Sequence, residues 1–166
     1  MSDLVRLSFP AAFIISAVHL TAAELVCGYR RGWLSEHDVV TITLSSYGKG
    51  VEQSGPEKDL ALLLSDELDR VPQLMGEIAE SLKPEADSSP VWLFLALTWV
   101  YEHRADYLDP LEVVEMLFTD FDYPDEMQGI VRFIPPLPGA ATGNRAIEGR
   151  WKDYLTRKAA EYADRP

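Results

Sequence analysis

The stretch Asp120-Phe121-Asp122-Tyr123-Pro124-Asp125-Glu126 places four carboxylates and two aromatic rings within seven residues. Carboxylates this close can supply a nucleophile and a general acid, hold a divalent cation, or attract a basic partner. Each use demands further residues at fixed spacings, and those spacings discriminate among them.

A covalent phosphotransfer site is the first candidate. Met116-Leu117-Phe118-Thr119 followed by Asp-x-Asp has the outline of the haloacid-dehalogenase-like nucleophile loop. The Thr expected two residues after the second Asp is replaced by Pro124, the preceding residues have helical periodicity, and only 44 residues follow Asp122. These features argue against that chemistry. A calcium loop beginning at Asp120 needs Gly sixth and Glu twelfth, where Asp125 and Val131 stand. His19, His37 and His103 form no HxxxH or HxH pair, and the nearest local donor set is His103 with Asp106 and Asp109. Cys27, the single cysteine, lies among apolar neighbours and reads as a packed thiol in a reducing compartment. No GxSxG, P-loop or GxGxxG occurs. The residues therefore assign no catalytic group, cofactor ligand or metal ligand.

Charge narrows the choice further. Acids outnumber bases 27 to 15, a formal charge of −12. Within 101–130 there are nine acids and one base, whereas 131–166 carries four and seven. A field of this sign repels phosphate backbones and favours a basic partner. The helices on either side of Gly32-Trp33-Leu34-Ser35 have helix-turn-helix proportions, but the second carries no Lys or Arg before Lys49. An ordinary helical hairpin is expected there.

The elements that position these residues read as helices throughout. Thr21 caps a helix running to about Arg31 with Gly32 as its stop, and Ser35 with Asp38 forms a capping box for a helix to about Tyr47. The β-branched stretch Val39–Leu44 leaves a strand open as an alternative. After a loop over 49–56, Leu60, Leu63, Leu64 and Leu68 predict one amphipathic helix, and Pro72 restarts another through Leu74, Ile78 and Leu82. Ser89 and Pro90 open a helix over VWLFLALTWVY, too short to cross a bilayer and apolar on nearly all faces. The apolar run Phe9–Leu20 reads as a core helix and not as a signal peptide, because it has one upstream base and no AxA-like cleavage site.

Asp109, Pro110 and Glu112 mark the next start. From there Leu111, Val114, Leu117, Phe118 and Phe121 line one face, and Glu112, Glu115, Thr119 and Asp122 line the other. Pro124 opens a helix through Met127, Ile130 and Val131 that ends near Pro135-Pro136, and a final helix carries Ile147, Trp151, Leu155 and Tyr162. The expected architecture is all-α: a single domain over 1–166, a bundle of about seven to eight helices around a central apolar helix near 90–104. No domain break is expected at the polar linker 83–89, since neither side shows a complete core.

The series WLFLALTWVYEHRADYLDPLEVVEMLFTDFDYPDEMQGIVRFIPP, with GYRRGWLSEHDVV before it and RWKDYLTRKAAEY after it, resembles a bacterial family described as a domain of unknown function. DPLEVVE, DFDYP and VRFIPP, in that order, are its most specific pieces. Members of this kind look like immunity proteins of polymorphic toxin systems, which bind and silence a toxin domain of the same lineage. The resemblance implies a non-enzymatic, cytoplasmic binding protein and supplies no catalytic residues.

Residues and resemblance together give Glu112, Glu115, Asp120, Asp122, Tyr123, Asp125 and Glu126 as the surface that meets a basic protein, a cognate toxin domain. Phe121 belongs in the core, so Tyr123 is the aromatic anchor. A carboxylate-based metal-dependent enzyme and a structural or oligomeric subunit are the alternatives. DFDYP and DPLEVVE also have a purely structural reading, as caps and turns of helices.

Overall fold

The structure, a computed structural model, describes residues 4–83, 87–135 and 137–165. The described residues form eight α-helices with short 3₁₀ turns and no strand. They divide into two compact units, one over 7–88 and one combining the N-terminal segment before Leu7 with 89–165. The division falls between Ser88 and Ser89, within the polar linker. Residues 84–86 of that linker, and Pro136 at the expected end of a helix, lie outside the described residues.

The first unit contains α1 (Ala11–Ala17), α2 (Ala22–Arg30), α3 (Glu36–Gly48), α4 (Gly55–Ala61) and α5 (Val71–Glu80). α3 packs against α1 and α4, and α5 against α4 and α2, around Phe9, Ile14, Val39, Leu60, Val71 and Ile78. Thr21, Ser35 and Ser54 each close a full capping box. The β-branched stretch of α3 is helical, with Val39, Val40, Ile42 and Thr43 buried. Packing of that face outweighs the strand preference of its residues.

Two expected helices are shorter than their apolar patterns. The Phe9–Leu20 run contributes a seven-residue α1, with Phe9, Val18 and Leu20 buried outside it. The leucine pattern from Leu60 to Leu68 breaks after Ala61, leaving Leu62 and Leu64 exposed. Glu67 supplies the reason: its carboxylate accepts from the Leu64 N–H at 3.0 Å, a side-chain bond that replaces continuation of the helix.

The second unit is built on α6 (Ser89–Glu102), buried from Val91 through Leu97. α7 (Pro110–Asp120) and α8 (Asn144–Ala163) both pack on it. Tyr101 meets Trp151 edge to face at 5.1 Å between centroids, and Phe94 meets Tyr162 at 5.1 Å. Between α7 and α8, Asp125–Ile130 forms a 3₁₀ helix where a further helix was expected, and it buries Met127 and Ile130. Among the described residues no helix is long and apolar enough to cross a membrane.

Candidate functional site

α7 begins at Asp109, whose carboxylate accepts from the Glu112 N–H at 3.4 Å. The reciprocal half of a capping box is absent there, and Asp109 turns its other oxygen to Arg132 at 2.9 Å. Arg132 also donates through Nε to Glu115, one helical turn beyond Glu112. Arg132 thus ties Val131-Arg132-Phe133 to the start and middle of α7, joining the DPLEVVE and VRFIPP pieces. The two carboxylates hold its guanidinium above the ordinary arginine range, Glu115 contributing most.

The helix ends in a Schellman motif. The Tyr123 N–H donates to the Phe118 carbonyl at 2.8 Å and the Asp122 N–H to the Thr119 carbonyl at 3.2 Å. Asp122 and Tyr123 have φ of 60° and 57°, left-handed values rare for residues with a Cβ. The contact that accompanies such a cap is also present, with the Tyr123 ring edge-on to Phe118 at 5.3 Å. DFDYP is therefore a helix C-terminus and turn, and Asp122 takes part through its backbone.

The seven expected site residues separate by environment. Asp120 is only 4% exposed, and its two oxygens accept from the Leu4 and Val5 N–H groups at 2.8 and 2.9 Å. Its inclusion in a partner-binding face is corrected, because a buried carboxylate engaged with backbone amides holds the N-terminal segment and presents no surface. Glu115 is paired with Arg132, and Glu126 lies 3.4 Å from Lys158 of α8. Glu126 is nonetheless exposed, as are Glu112, Asp122, Asp125 and Tyr123.

Phe133 is the residue that sequence reasoning missed. Its ring stands 5.7 Å from Phe118 and is 59% exposed, while Tyr123 on the same buried ring is 61% exposed. The signal was an aromatic residue in a short irregular segment, where periodicity assigns no face.

Basic side chains near the turn are engaged internally. Arg150 donates to the Gly129 and Ala141 carbonyls at 2.6 and 2.8 Å, and Lys158 lies within 3.4 Å of both Glu126 and Glu161. Partial burial pulls the Lys158 ammonium down, but those carboxylates outweigh it and leave it above its usual range. Tyr154 is pushed far up, first by burial and then by the nearby Glu126 charge; its hydroxyl makes no hydrogen bond of ordinary geometry.

The His103-Asp106-Asp109 set is committed elsewhere. His103 stacks on Trp99 with Nδ1 at 2.8 Å from its carbonyl, and Asp109 caps α7. Among the described residues no three His, Cys, Asp or Glu side chains converge as a metal site would require. The arrangement on α7 and its turn offers two exposed rings, four exposed carboxylates and locally engaged cations, which suits recognition of a cationic surface.

Comparison with curated proteins and with solved structures gives no match. A family model does match, over residues 11–159, and the chain belongs to that bacterial family, described as "Uncharacterized protein conserved in bacteria (DUF2247)".

Proposed function

We propose that this protein is a non-enzymatic binding protein, an immunity protein that neutralises a cognate bacterial toxin domain. The observation that carries the reading is the pair of exposed rings, Tyr123 and Phe133, seated on buried Phe118 beside the acidic turn. Solvent-exposed aromatic rings bring a large desolvation gain on contact, and surrounding carboxylates steer a basic partner. Glu112, Asp122 and Asp125 supply that charge, while Glu115, Asp120 and Glu126 hold the scaffold. The bacterial family, the charge of −12 and the resemblance to toxin-immunity proteins support the same reading.

The test begins with capture from a lysate of the source bacterium and identification of bound proteins by mass spectrometry. The captured domain is then co-expressed in a sensitive host with wild type or with a folded Tyr123→Ala, Phe133→Ala variant. The expected result is a basic domain that arrests growth alone, is neutralised by wild type, and escapes the variant by at least roughly tenfold in affinity. Neutralisation by both proteins would keep the immunity reading and remove this face from it. Absence of any basic growth-arresting partner would overturn the reading itself.

A further inference from the structure

Three tyrosines in this chain carry the arginine that follows three residues later. Arg104 lies over the Tyr101 ring at 3.8 Å from its centroid, Arg165 over Tyr162 at 4.6 Å and Arg157 over Tyr154 at 5.8 Å. Arg31 lies over Trp33 in the same manner at 4.9 Å. Among the described residues no lysine takes such a place. A guanidinium suits a ring better than an ammonium does, because its plane stacks on the ring face while its N–H groups point outward in that plane to acceptors.

Tyr123 departs from the pattern. Three residues after it stands Glu126, so the position that brings a cation to the other three rings brings a carboxylate here. The cations bonded around the turn are committed to other groups: Arg132 to Asp109 and Glu115, and Lys158 to Glu126 and Glu161. Among the described residues no cation lies over Tyr123 or over Phe133, and each is more than half exposed. Both are nevertheless held in place by contact with buried Phe118. The stretch 101–130, with nine acids and one base, puts the Tyr123 ring in a negative field.

We infer that Tyr123 and Phe133 are platforms for arginine side chains of the partner domain. The partner supplies from outside the guanidinium that the chain itself supplies to Tyr101, Tyr154 and Tyr162. The ring face receives the guanidinium plane, and the acidic stretch balances its charge. This inference rests on the reading of the face as partner-binding and narrows it: a surface bearing arginine is bound in preference to one of equal charge bearing lysine.

The test is calorimetric titration of the full chain with hexa-arginine and with hexalysine at low salt, with binding located by NMR shifts on isotope-labelled protein. The peptides have equal charge, so the acidic field attracts both. Hexa-arginine should bind about threefold more tightly or better, with shifts centred on Tyr123 and Phe133. In a Tyr123→Leu, Phe133→Leu variant, which keeps every charge, the ratio of affinities should fall to about one. Equal affinities in wild type, no saturable binding, shifts centred away from both rings, or an unchanged ratio in the variant would each overturn the proposal. If the double variant fails to fold, the wild-type ratio and shift map decide it alone. No toxin domain enters the experiment, so its failure leaves the immunity reading to the lysate capture, and failure of that capture leaves the arginine preference measurable.

Discussion

Asp122 stands where Gly32 and Gly50 stand at the ends of α2 and α3, in the left-handed position of a Schellman cap. The same two backbone bonds close all three helices, but only α7 places a Cβ there. Asp122→Gly should therefore raise the unfolding free energy by about 0.5 kcal/mol, measured by urea denaturation. No change, or a loss, would mean that the Asp122 side chain contributes more than its backbone strain costs. Asp120→Asn should lower stability by about 2 kcal/mol, because an amide cannot accept from both Leu4 and Val5. The roles of Thr21, Ser35 and Asp109 were legible in sequence because a cap acts on an amide three residues away. Asp120 was not, since its donors lie 116 and 115 residues distant and no local pattern links them.

Among the elements, α7 followed its sequence most closely: Leu111, Val114, Leu117 and Phe118 are buried, while Glu112 faces water. The leucines from Leu60 to Leu68 misled because periodicity records which residues are apolar and not where a side chain stops the helix. Glu67 does so at the Leu64 N–H. Arg132 shows the same limit at the site, for an isolated base after nine acids gave no sign that it bridges Asp109 and Glu115. A double-mutant cycle on Arg132→Met and Glu115→Gln should give a coupling of about 0.5–1 kcal/mol that falls as salt is raised. Coupling near zero at low salt would show that the bridge follows the chain path and does not hold it.

For the whole molecule, three groups predict behaviour at alkaline pH. Burial is the leading cause of raised values for Tyr154, Tyr29 and the Cys27 thiol. A raised folded value means that the unfolded chain releases its proton first. The associated stability is complete below the unfolded value and is lost as pH rises past it. Unfolding free energy should therefore decline from about pH 9 upward, and more steeply above about pH 10. Tyr154→Phe should remove about 1.4 kcal/mol per pH unit from that steeper part, read from urea curves at successive pH values. An unchanged slope would mean that Tyr154 is not the buried phenol responsible. The Asp120 clamp on Leu4 and Val5 has a different consequence, one of timing. Those residues leave the ribosome well before the carboxylate that receives them, which follows more than a hundred residues later, several seconds or more at roughly 5–20 residues per second. The unit over 7–88 is complete in the nascent chain before α7 exists, whereas the other must close a loop of more than a hundred residues to assemble. Vectorial synthesis thus gives the two units different opportunities to fold, and the N-terminal segment waits for its own receptor to be made.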